Sequence, residues 1–154
     1  TNSYAGAAEM TKRFITLFPN DPTVFRKKMN LGDYYKYQRY FEQAITHFES
    51  LLGQAGAEDQ AEIRFCIAEC YLGKGDYAQA ASEALKVKYL VVQKTEIDWT
   101  ASAYDLAAQA YDKLGKKDLA IEQYQIIIDT PGLDPRYKDA SRQKIAEIRS
   151  QMNK

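Results

Sequence analysis

Few side chains in this sequence are suited to chemistry, and their spacing limits what they can do. Cys66 and Cys70 stand four residues apart, which on a helix puts both thiols on one face. Such a pair could hold a metal or exchange electrons. Zinc takes about four ligands, and the single histidine, His47, lies in another segment. A disulfide between positions i and i+4 of one helix would be strained. The pair therefore reads as two small buried thiols. His47, flanked by Glu42 and Glu49, reads as a solvated surface histidine. Glu58 and Asp59 read as helix-start charges that favour the dipole. The sequence has no glycine-rich phosphate loop, no paired histidine and carboxylate, and no nucleophile with a base nearby. No catalytic, cofactor or metal site is expected, and the protein reads as a non-enzyme.

The bulk properties narrow the classes further. With 154 residues the chain can bury the core of one domain. Its 21 basic and 21 acidic residues cancel, which removes the electrostatic case for nucleic acid. The longest apolar run, Tyr89-Leu90-Val91-Val92, is far below the roughly 18 residues of a membrane helix. The opening Thr1-Asn2-Ser3 suggests a processed or excised piece.

The elements that position these residues are legible as a repeat. Leu31-Gly32-x-x-Tyr35 leads to Phe41 and then Ala44-x-x-x-Phe48. Ile67-Ala68-x-x-Tyr71 leads through Gly75 to Tyr77 and Ala80-x-x-x-Ala84. Ala107-Ala108-x-x-Tyr111 leads through Gly115 to Ala120-x-x-x-Tyr124. The tyrosines at 35, 71 and 111 are spaced by 36 and then 40 residues. Each unit reads as two helices with apolar or small residues at helical spacing. Gly75 and Gly115 suit the left-handed residue that ends the first helix. Asp76 suits the N-cap of the second. Arg39 stands in the corresponding place of the first unit, so that turn is either strained or differently shaped. Gly32, Ala68 and Ala108, opposed by Ala44, Ala80 and Ala120, let the paired helices approach closely.

The pattern resembles the tetratricopeptide repeat, a helical pair of about 34 residues marked by an aromatic, Leu-Gly, Tyr, Ala, a second aromatic and Pro. Lys28, Arg64 and Tyr104 stand where that family carries Trp, and Lys117 stands where the other two units have Phe41 and Tyr77. The N-terminus matches half a unit, with Tyr4-x-x-Ala7, Phe14 and Pro19 aligned to a second helix and its closing proline. The resemblance implies an all-α, right-handed α-solenoid. Its parts are a truncated leading repeat at 1–22, repeats at 23–57, 58–97 and 98–132, and a capping helix at 133–154. Helices are expected near 3–18, 23–37, 40–54, 58–73, 77–94, 99–114, 117–129 and 135–151. The half unit leads us to expect a longer parent protein with further repeats before Thr1. The cap is expected because Tyr137, Ala140, Ile145, Ile148 and Met152 form one apolar stripe opposite a charged face.

In this family the first helices line a groove that holds a segment of a partner protein. The residues turned away from the packed rows are the groove candidates: Arg26, Met29, Asp33 and Tyr37 in the first unit, Glu62, Phe65, Glu69 and Leu72 in the second, and Asp105, Gln109 and Asp112 in the third. The set has an acidic lean with apolar anchors, which favours a basic or apolar peptide or helix. Relatives that clamp a C-terminal carboxylate use Lys, Arg and Asn here. Met29, Asp33, Cys66 and Leu106 hold those positions in this chain, which argues against that ligand. The competing reading is a solvated face that binds nothing. Self-association is an alternative function, through an open N-terminal helix face with Ala7, Met10, Phe14 and Leu17. A small-ligand or enzymatic role would need a convergent polar pocket. Trp99, behind an N-cap candidate at Asp98, reads as a cover for the long join before it. The Phe18-Pro19-Asn20-Asp21-Pro22 loop and the long joins are similar to bacterial cell-envelope repeat proteins of the outer-membrane-assembly and Tol–Pal-associated kind, which would place the chain in the periplasm or cell envelope.

Overall fold

Three tyrosine carbonyls organise the turns of this chain. The carbonyl of Tyr35 accepts the N–H of Tyr40, that of Tyr71 the N–H of Asp76, and that of Tyr111 the N–H of Lys116, each at 2.9 Å. These are the long 6→1 bonds of a Schellman turn, which satisfy a carbonyl that the ending helix leaves without an intrahelical donor. The residue before each donor is left-handed: Arg39 at φ 65°, Gly75 at 85° and Gly115 at 75°. Arg39 therefore adopts the same turn as its glycine counterparts and carries the strain of a side chain in that region.

In the computed structural model, which describes residues 2–90 and 98–154, these turns join helices into antiparallel pairs. The helices are α1 (Asn2–Leu17), α2 (Val24–Tyr37), α3 (Phe41–Leu51), α4 (Ala57–Lys74), α5 (Tyr77–Lys86), α6 (Trp99–Lys113), α7 (Lys117–Asp129) and α8 (Pro135–Met152). Among the described residues there is no strand. Each helix packs mainly on its neighbours in sequence, and α2, α4, α6 and α8 also touch in succession. The result is an α-solenoid in which every unit buries its apolar face against the next.

The small residues act as the sequence requires. Ala44, Ala80 and Ala120 are completely buried, as are Ala68 and Ala108. Gly32 lies against the ring of Phe48, and Gly73, inside α4, lies against the ring of Phe41. Three core clusters follow one another along the array. The first joins residues of α1 to α4, the second residues of α4 to α6, and the third residues of α6 to α8.

Three helix starts are capped by aspartate, two of them, Asp76 and Asp98, as the sequence suggests. The Asp76 carboxylate accepts the N–H of Gln79 at 3.3 Å, and that of Asp98 accepts the N–H of Ala101 at 2.9 Å. Asp134 accepts the N–H of Arg136 at 2.8 Å, with Pro135 at the first position of α8.

Three expectations need correction. The helix expected over 40–54 is α-helical only to Leu51 and tightens into a 3-10 turn over Leu52–Gln54, where Gly53 removes helix preference. The helix expected over 77–94 ends at Lys86 and continues as a 3-10 turn over Val87–Tyr89; positions 91–94 lie outside the described residues. His47 is not a solvated histidine. It is half-buried, with Nε2 2.7 Å from the Lys28 carbonyl and its ring edge-on to Tyr35. It lies one turn past Ala44 on the face of α3 that meets α2, so the packing of that helix pair encloses it.

Candidate functional site

Aligning the units on Tyr35, Tyr71 and Tyr111 brings four rows of residues side by side: 26, 62 and 102; 29, 65 and 105; 33, 69 and 109; and 36, 72 and 112. Neighbouring first helices lie close enough for these rows to interact. Arg26 of α2 bonds Glu62 of α4 at 2.8 Å and Asp59 at 3.3 Å. Lys36 of α2 reaches Glu69 of α4 at 2.5 Å and Asp33 of its own helix at 3.2 Å. Burial pulls the Lys36 pKa down, but Cys66, Glu69 and Asp33 outweigh it and the ammonium is held well above its ordinary value. Asp112 is paired with Lys117 at the start of α7.

The acidic lean read from the sequence is thus largely neutralised within the chain. Asp33 and Glu69 share Lys36, Glu62 holds Arg26, and Asp112 holds Lys117. Sequence spacing reveals only Asp33–Lys36, an i,i+3 pair on one helix; the other pairs join residues of different elements or units.

Met29 leaves the set of groove anchors. It is 0% exposed and belongs to the first core cluster, together with Ala8 of α1 and Ile63 of α4. The core shared by α1, α2, α3 and α4 encloses it. Cys66 and Leu106 are also buried. Burial pushes the Cys66 thiol well above its ordinary pKa and raises Cys70 to about 12, so neither is poised as a nucleophile. Tyr37 is exposed but packs at a tilt against Tyr4 of α1, with ring centroids 5.0 Å apart, rather than joining the other candidates.

Five candidates do converge. Phe65, Glu69 and Leu72 of α4 and Asp105 and Gln109 of α6 line one cleft of about 370 Å³. Ser102 and Leu106 of α6 and Ile127 of α7 complete two of its walls. The third wall, Tyr137, Ala140 and Ser141, comes from α8. Sequence reasoning treated α8 only as a cap. Its contribution follows from α8 occupying the place of the next first helix in the row. Trp99, the first residue of α6, packs on Phe65 with ring centroids 5.6 Å apart.

Asp105 differs from the other carboxylates. Gln109 donates to its Oδ2 at 2.6 Å, and it interacts with the hydroxyl of Tyr124. Burial raises its pKa, opposed by Gln109, by the more distant charge of Lys144 and by Tyr124. Lys144 is itself bonded to Glu147 at 3.2 Å. Burial and Asp105 together push the Tyr124 hydroxyl pKa up as well.

Among the described residues, no three potential metal ligands cluster, and no helix is long and apolar enough to cross a membrane.

Comparison with known proteins agrees with this architecture. Tetratricopeptide-repeat family models match residues 29–88 and 102–131, together more than half of the chain. No curated protein matches. A solved structure of nearly identical TPR-like repeats, from a candidate kinesin light chain of Podosopora anserina, superposes with a TM-score of 0.73 at 14% identity. That match covers 96% of this chain and 78% of the other, and at this identity it speaks to the fold alone. The helix pairs, the turns repeated at Tyr35, Tyr71 and Tyr111, and both matched stretches place the chain in the tetratricopeptide-repeat family.

Proposed function

We propose that the chain is a non-catalytic protein–protein interaction scaffold that holds a segment of a partner protein in the cleft between α4, α6 and α8. Proteins built from these repeats typically mediate protein–protein contacts. The observation that carries the reading is the convergence of Phe65, Leu72 and Tyr137 with Asp105 and Gln109 on one concave volume. Apolar walls with a few polar groups are the usual composition of a recognition site.

The test is a pull-down from source-cell extract with two baits, the wild-type chain and a Phe65→Ala/Leu72→Ser variant whose helicity circular dichroism has confirmed. A partner retained by the first and lost by the second supports the cleft. A partner held equally by both removes the cleft as the binding surface. The assignment to a bacterial cell envelope rests on the Phe18–Pro22 loop, and fractionation of source cells checks it.

A second reading, self-association, is favoured by one observation. Met10, Leu17 and Phe18 near the outer face of α1 are 74%, 66% and 53% exposed. Light scattering over a hundredfold concentration range would detect it. A constant monomer mass would exclude it.

A further inference from the structure

The cleft contains two carboxylates, and the chain treats them differently. Glu69 is held by Lys36, which reaches across from α2 at 2.5 Å. Asp105 lines the same cleft, and its partners there, Gln109 and Tyr124, are neutral donors. Among the described residues no cation lies within ion-pair distance of it; Lys144 acts from further away and is bonded to Glu147. A partly desolvated carboxylate between neutral donors is under-compensated, and a cation brought to it gains more than the same cation would in water. Gln109 donates to Oδ2 and the Tyr124 hydroxyl is the second neutral donor; a carboxylate offers about four acceptor sites, so capacity for a further donor remains. The surfaces beside it, Phe65, Leu72 and Tyr137, are apolar or aromatic.

On the scaffold reading given above, we infer that this cleft selects a partner segment in which a lysine or arginine is flanked by an apolar side chain. The cation is held at Asp105, and the apolar side chain packs among Phe65, Leu72 and Tyr137. The argument is one of charge complementarity. The other groove acids already have cations of their own, so Asp105 is where the chain's own charges leave a place for a partner's. A desolvated charge pair of this kind sets specificity through dissociation, because the mismatched ligand leaves a charge unpaired.

The experiment is a random twelve-residue peptide library displayed on phage and selected on the immobilised full chain. Fluorescence anisotropy with the enriched peptides then compares wild type, Asp105→Asn, Asp139→Asn as an exposed control, and Leu72→Ser. The expected result is enrichment of peptides with a basic residue next to an apolar one. Asp105→Asn should weaken them about tenfold or more, while Asp139→Asn leaves them unchanged. Replacing the peptide's basic residue by glutamine should weaken binding to wild type and have little effect on Asp105→Asn. Peptides that lose binding with Leu72→Ser but are indifferent to Asp105→Asn would overturn the charge assignment and leave the cleft reading standing. Peptides indifferent to both substitutions, or no enrichment at all, would overturn both.

Discussion

Gly32 of α2 lies so close beneath Phe48 of α3 that a methyl group on it would stand 2.5 Å from the ring's Cζ. Phe48 is fully buried, in the kind of close-packed interior where a ring has little room to shift. In the second unit the matching positions are Ala68 and Ala84, both fully buried, so one small residue per pair is kept and the partner's size varies. Alanine at position 32 would gain about 1 kcal/mol of helix preference. It would lose more by overpacking, typically about 1–3 kcal/mol. Gly32→Ala is expected to lower stability in urea denaturation, and adding Phe48→Leu to recover part of the loss. A single variant as stable as wild type would show that the ring can move aside.

The left-handed Arg39 predicts opposite signs for matched substitutions. Arg39→Gly removes a strain of about 1–2 kcal/mol and gives up a cation–π contact, 5.3 Å from the guanidinium carbon to the Phe41 ring centroid. Exposed contacts of that kind contribute about 0.5–1 kcal/mol, so a modest net stabilisation is expected. Gly75→Ala and Gly115→Ala introduce the same strain, since both glycines have positive φ. Each should destabilise by about 1 kcal/mol. Chemical denaturation of the three variants checks the pattern, and a destabilised Arg39→Gly would contradict it.

The buried thiols link stability to pH. Unfolded cysteines ionise near pH 8.5, whereas burial keeps Cys66 protonated well beyond that and Cys70 to about 12. In that window the native chain binds more protons than the unfolded one, so stability falls as pH rises. The slope reaches about 1.4 kcal/mol per pH unit for each thiol. Comparison of wild type with Cys66→Ala/Cys70→Ala at pH 7.5 and 9.5, below the main tyrosine titration, should show a steeper decline in wild type. A disulfide-exchange reagent should label neither thiol in the native chain and both in urea. Rapid labelling without denaturant would contradict the burial.

Trp99 is the sole tryptophan and packs against Phe65 in the wall of the cleft. Its fluorescence should therefore report on the cleft without any label. Phe65→Ala opens that contact to water and is expected to shift the emission to longer wavelength. A ligand in the cleft should change wild-type emission with a saturable dose response. An emission spectrum unmoved by Phe65→Ala would separate Trp99 from the site.

The fold was legible because its determinants are local and repeated. Tyr35, Tyr71 and Tyr111, the left-handed residue four positions on and the buried alanine nine positions on recur at fixed offsets, and repetition turns weak motifs into a strong one. The groove was only half legible. Helical periodicity places Phe65, Glu69, Leu72, Asp105 and Gln109 on the open side of their helices, and these five share the cleft. It also put Met29 there, because the core that α1 to α4 build around that residue is a tertiary fact that periodicity does not contain. The pairing of Arg26 with Glu62 and of Lys36 with Glu69 spans 36 and 33 residues of chain, beyond the reach of any local rule. The wall from α8 was missed because an amphipathic terminal helix reads the same whether it caps a surface or shapes one.

The Tyr carbonyl bond has an evolutionary consequence. It fixes the hairpin through main-chain atoms, so the reversal tolerates arginine or glycine at the turn and tyrosine, aspartate or lysine after it. Within a unit, then, the two-helix body is the part that recurs along this chain, and its outward residues are free of the turn's demands. Length change falls between bodies instead, where the tyrosine spacing grows from 36 to 40 residues. An array built this way can alter its curvature through the joins and its chemistry through the open helix faces, as two independent adjustments.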